Sequence, residues 1–167
     1  MSLTREALPK ALQEAITHPS GARFYKCALQ VNPYSYVELH RNGSEFSDEA
    51  SYNESLVQAC MENGIEVVGI TDHYRVKHSV SLGNALKDAG IAVLLGFEAV
   101  SKDGVHFLCL FDSDKPADQL ERCIGACEVL DSDTASPTGQ LDSTELLSRA
   151  RDWGCVFVAA HATNAGG

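Results

Sequence analysis

The chain has 167 residues, enough to bury a core unaided, and its 44% hydrophobic and 22% charged content is that of a globular domain. Thirteen Lys and Arg against 23 Asp and Glu leave a formal charge of −10, which excludes a broad basic face for gripping nucleic acid but not a small pocket for one phosphate. No apolar run has the length of a membrane span, and Met1-Ser2-Leu3 leads into Thr, Arg and Glu rather than a signal peptide, so a cytoplasmic protein is expected.

Leu8, Leu12 and Ile16 fall at helical spacing before Pro19 and Gly21, so residues 1–23 read as a leading helix and linker and 24–167 as the domain. Phe24 to Val31 is a strand candidate stopped by Asn32-Pro33. Ser47-Asp48-Glu49 caps a helix that runs through Met61 to a stop at Asn63-Gly64. The apolar run Ile65–Thr71 predicts a strand covered on both faces. A helix over Val80–Ala89 and strands over Ile91–Leu95 and Val105–Phe111 follow, the two strands separated by so short a turn that antiparallel neighbours are expected. Pro116–Leu130 reads as helix, Asp131–Gln140 as loop, Asp142 to Gly154 as the last helix and Cys155–Ala160 as the last strand. Alternation of this kind predicts an α/β fold, a mainly parallel sheet flanked by helices. The six cysteines (Cys27, Cys60, Cys109, Cys123, Cys127 and Cys155) form no CxxC pair and several lie in apolar runs, as unpaired thiols of a reducing compartment do. Cys123 and Cys127 share a helical face, but no third metal ligand stands near them in sequence.

The residues capable of chemistry stand just after the predicted strands: Asn32, Asp72-His73, Glu98 and His161. In parallel α/β folds those loops open at one end, where distant positions converge. Imidazoles with a carboxylate are the donor set of zinc, manganese or iron. Singly, each has a plainer explanation: Asp72-His73 as a helix cap, Glu98 as a solvated acid, His106 as a core histidine. Their joint pattern is much harder to explain that way. His18 and His78 look peripheral.

Gly69-Ile70-Thr71-Asp72-His73, Gly96-Phe97-Glu98, Val105-His106-Phe107-Leu108 and Ala160-His161 resemble, in order and spacing, the motif series of the PHP (polymerase and histidinol phosphatase) family, over residue 24 to the end. The resemblance implies a distorted β/α barrel, up to three divalent ions (Zn, Mn or Fe, here partly occupied) and phosphoesterase activity. By it, Glu98 bridges two metals, His106 and His161 complete ligand sets, and His73 holds a further metal beside a catalytic Asp72. Two departures stand out. The family's first motif, His-x-His, is replaced by Gln30 and Asn32, whose neutral amides are weaker ligands; two apart, they are expected on one side of a strand. His40 or Glu38 is the candidate for the ligand that the family draws from just after that motif. The family's last motif falls beyond Gly167, so an incomplete barrel with an open sheet edge is expected, and with it self-association into a homo-oligomer. The stretches Ala28–Ser35 and Asp72–His78 further resemble a PHP subgroup fused to a large SMC/ABC-type ATPase.

The implied function is hydrolysis of a phosphate monoester or diester by metal-activated water, with Arg75 and Lys77 holding phosphate oxygens. The substrate would be a phosphorylated small molecule, a nucleotide or a nucleic-acid end. The alternative is a degenerate PHP module without turnover, an interaction or regulatory domain of an attached ATPase. Hydrolysis of C–N bonds, as in amidohydrolases, fits the motif series less well.

Overall fold

The computed structural model describes residues 24–40, 45–130, 134 and 136–161; the leading segment 1–23 lies outside the described residues. Five strands form one sheet in chain order: β1 (Cys27–Val31), β2 (Val67–His73), β3 (Ala92–Val100), β4 (His106–Leu110) and β5 (Val156–Ala159). Five helices accompany them: α1 (Tyr34–His40), α2 (Glu49–Glu62), α3 (Ser79–Asp88), α4 (Ala117–Gly125) and α5 (Ser143–Trp153). β1, β2 and β3 pair in parallel, and β4 pairs antiparallel with both β3 and β5. β4 alone is therefore reversed, and the sheet curls into a half-barrel with its helices on the outside.

Local chemistry explains most of these elements. Asp48 caps α2 by accepting from the Ser51 N–H at 2.8 Å, and the Ser51 hydroxyl faces the Asp48 N–H in return. Asp142 and Glu145 form the same reciprocal box at the start of α5, which ends on Gly154 in the left-handed conformation, φ 67°. Helices pack two cores against the outer face of the sheet. Val68, Ile70, Leu82, Leu86 and Val93 build one; Phe97, Phe111, Leu120 and Leu146 build the other. A smaller cluster of Leu108, Leu110 and Ala160 lines the inner face.

The structure moves several expected boundaries. α1 is an element that the sequence reading missed: Tyr34-Ser35-Tyr36-Val37 has strand-like composition, yet Pro33 starts a turn in which its carbonyl accepts from the Tyr36 N–H at 3.0 Å. α4 stops at Gly125, short of the expected Leu130, because the chain turns at Glu128 with φ 56°. β2 runs on through Asp72 and His73, and β3 through Glu98 to Val100. Asp72, His73 and Glu98 thus belong to strand ends rather than to loops.

Gly96 permits the longer β3. A Cβ there would lie 2.3 Å from the Cys109 carbonyl oxygen of β4, a contact that nothing can relieve without moving backbone. Gly96→Ala is expected to destabilise the domain by about 1–3 kcal/mol or more, as overpacking does, read as a shift of the urea midpoint at unchanged slope. An unshifted midpoint would show that β3 and β4 stand farther apart.

All six cysteines are free, as expected, and Cys60, Cys109, Cys123 and Cys127 are buried. Burial pushes the Cys127 thiol up to about 12, while the hydrogen bond that the Cys109 thiol donates to Cys155, together with burial, pushes Cys109 well up. Since the thiolate is the nucleophile, a disulfide reagent at pH 8 should label exposed Cys27 rapidly and leave Cys109 and Cys127 untouched until denaturant is added. Mass mapping of the labelled peptides checks the order.

Candidate metal centre

Register decides which side chains meet. His73 pairs with Glu98 across β2 and β3, so both project to the same face of the sheet. Across β3 and β4, Glu98 pairs with Leu108 and Val100 with His106, which puts the His106 ring one step along that same face. Ala160 donates its N–H to the His106 carbonyl at 2.9 Å and delivers His161, the next residue, to the cluster.

Glu98 is the centre. Its side chain is only 3% exposed, and three imidazoles face it: His106 Nδ1 at 2.6 Å and His161 Nε2 at 3.6 Å from Oε1, and His73 Nε2 at 4.0 Å from Oε2. A ligand atom from each of His73, Glu98 and His106 lies within 4.8 Å of the others, the one such His/Cys/Asp/Glu group among the described residues. Gln30 of β1 donates from Nε2 to Glu98 Oε2 at 2.8 Å and stands 3.3 Å from His161 Nε2. Burial lowers the pKa of His73 more than Glu98 raises it, so its ring is held neutral, the ligand form.

Two imidazole nitrogens beside the cluster are buried without a hydrogen-bond partner: His73 Nδ1 and His40 Nε2. An orphaned buried donor or acceptor costs about 1–3 kcal/mol, so their gathering at one place calls for a ligand. His40 closes α1, and the Tyr36 ring on the same helix sits between two imidazoles, 4.5 Å from His40 and 5.9 Å from His73 centroid to centroid. Tyr36 was not anticipated; its i,i+4 spacing to His40 would have shown it had α1 been recognised. Two non-glycine residues at the site hold positive φ, Tyr74 at 48° and His161 at 55°, the kind of backbone strain that gathers at functional sites.

The remaining candidates sit at greater remove. Asp72 pairs with Phe97, so it stands on the face of β2 opposite to His73. Its Oδ1 accepts from the His73 N–H at 2.7 Å and lies 3.9 Å from Arg75 Nη1; burial raises its pKa against the pull of Arg75. Arg75 is half-buried and also donates to the Thr134 carbonyl at 3.2 Å, while Lys77 and Glu38 are exposed. Asn32 uses its carbonyl to accept from the Tyr52 hydroxyl at 2.7 Å. A register irregularity between Ala28 and Val31 breaks the strand alternation on which a shared side for Gln30 and Asn32 was expected. A cleft of about 450 Å³ lined by Tyr25, Met61, Ile65 and Ile91 lies at the other end of β2 and β3, away from every one of these groups.

The PHP domain family matches residues 39–156. Over 64 residues the chain is 38% identical to an error-prone DNA polymerase of Nocardia farcinica, a match covering 38% of this chain and 6% of the polymerase. Over 72 residues it is 28% identical to an uncharacterized protein of Methanocaldococcus jannaschii, covering 43% of this chain and 42% of that one. The chain therefore spans less than half the length of these curated relatives. Among solved structures, it is similar to a Bifidobacterium adolescentis protein described as a metal-dependent phosphoesterase, with a TM-score of 0.53 at 15% identity over 85% of this chain and 68% of that one. It is also similar to a lesion-specific endonuclease of Pyrococcus furiosus, with a TM-score of 0.56 at 15% identity over 83% of this chain and 34% of that one. At such identities the likeness is one of fold.

Proposed function

The chain belongs to the PHP domain family, and from that premise we propose that it is a metal-dependent phosphoesterase domain whose ion is held by Glu98 with His73 and His106. The observation that carries this reading is a buried carboxylate faced by three imidazoles from three other elements. Without an ion, a charge so buried is costly. His40, with its unpartnered Nε2, is a further ligand candidate on the His73 side.

A divalent ion bound there would supply Lewis-acid polarisation of a phosphoryl oxygen and acidify water for attack on phosphorus. The chain's own residues do the rest. Glu98 and the imidazoles set the position of the reacting oxygen. Asp72 fixes the backbone at His73 and holds the Arg75 guanidinium on the face of β2 opposite to the imidazoles. Asp72 thereby acts as a positioning residue, and Lys77 is exposed four residues after His73. The substrate class is a phosphorylated small molecule, a nucleotide or a nucleic-acid end, in keeping with the phosphoesterase and endonuclease that share the fold. Among the described residues no helix is long and apolar enough to cross a membrane.

The sequence resemblance favours a second reading, a PHP module without turnover serving an attached SMC/ABC-type ATPase: Gln30 falls where that motif series implies an imidazole. Phosphomonoesterase and phosphodiesterase assays with manganese or zinc supplied decide between the two. Turnover that vanishes in Glu98→Gln supports the enzyme. Metal uptake with no turnover on any phosphoester supports the module.

A further inference from the structure

We infer that Gln30 takes the place of a second metal ion, and that its amide nitrogen, lodged between Glu98 and His161, limits the centre to one ion. This rests on the metal-binding reading above and adds the number of ions to it. A carboxylate can only accept, so the end of the Gln30 amide that faces Glu98 Oε2 at 2.8 Å must be the NH₂. The same nitrogen has a second N–H, and His161 Nε2 stands 3.3 Å away. For that contact to be attractive, Nε2 must carry the lone pair and Nδ1 the proton. One neutral group thus engages a carboxylate oxygen and an imidazole lone pair, the pair of acceptors that a cation at this spot would need. The amide nitrogen offers no lone pair, so an ion cannot enter beside it while those contacts hold.

Charge points the same way. Glu98, 3% exposed, is the only carboxylate in the His73–Glu98–His106 group. One divalent ion there leaves a net charge of +1. A second would bring it to +3 in a partly desolvated site, which is strongly unfavourable unless more carboxylates are supplied. Asp72 does not supply one, because it lies on the opposite face of β2 against Arg75. Two-metal phosphoesterases need both ions to clamp the attacking and leaving oxygens, so this chain is confined to one-ion chemistry.

The test is equilibrium dialysis of the whole chain against manganese, with metal counted by mass spectrometry and spin coupling read by electron paramagnetic resonance. Wild type is expected to hold about one ion per chain. Gln30→Glu, nearly the same shape, replaces the donor by a charged ligand and is expected to hold about two, with an exchange-coupled signal. Gln30→His is the second variant, with the same expectation, should the carboxylate pair disturb folding. Wild type holding two ions overturns the inference and leaves the metal reading standing, as do both variants staying at one. No uptake by wild type or by either variant sinks the metal reading itself, and this inference with it.

Discussion

Glu98→Gln is expected to abolish metal uptake while leaving the fold intact. The substitution keeps shape and removes the one charge in the group formed with His73 and His106. Loss of an outer-shell partner alone costs about 10–100-fold in metal affinity, so loss of the only charged ligand should cost at least about 100-fold. The new amide would also face His106, which now stands 2.6 Å from a carboxylate oxygen, with weaker complementarity. Ligand linkage provides a second readout. An ion that binds only the folded state raises the melting temperature, by an amount worth about 2.7 kcal/mol at a hundredfold excess over Kd. Manganese or zinc should therefore shift the melting curve of wild type and not that of Glu98→Gln. Equal metal content in the two proteins would show that the ion is held elsewhere.

The second large effect concerns the residue beside it. Phe97 is fully buried on the outer face of β3, with the rings of Tyr74, Phe111 and Trp153 at 6.1, 6.0 and 6.1 Å. Phe97→Ala removes the centre of that aromatic cluster and leaves a cavity that three flanking rings cannot easily fill. Substitutions of this kind cost about 3–5 kcal/mol. For a domain of this size each kcal/mol lowers Tm by roughly 2–4 °C, so a fall of about 10 °C is expected. Calorimetry checks it, and Phe97→Leu, which retains most of the volume, should fall much less. A loss below about 1 kcal/mol in Phe97→Ala would mean that the site collapses readily, contrary to the packing described. Because Glu98 is the next residue on the strand, the alanine variant should also bind metal more weakly, through loss of a rigid support rather than of a ligand.

The local elements of this protein were legible in its sequence because local chemistry determines them. The boxes at Asp48 and Asp142 and the left-handed Gly154 mark helix ends by hydrogen bonds within a single turn. The apolar run ending at Thr71 marks a strand covered on both faces, and strand-helix alternation marks an α/β sheet flanked by helices. His73, Glu98, His106 and His161 could be selected because polar residues at the ends of apolar strands are costly unless they have work to do. Other features needed the tertiary structure. α1 has strand-like composition, and only packing of its Tyr34 and Val37 against the outer core beside β2 makes it helical. β3 runs past its expected end because β4 approaches Gly96 so closely, a fact about two strands rather than one. Only the extension of β2 through His73 put Asp72 on the face opposite to it, since neighbours in a strand alternate. The meeting of Gln30 with Glu98, 68 positions apart, and with His161, 131 apart, depends on the curl of the whole sheet and on an irregularity in β1. Propensity and periodicity act over one or two turns of chain, whereas contacts at those separations exist only once the sheet has closed around them.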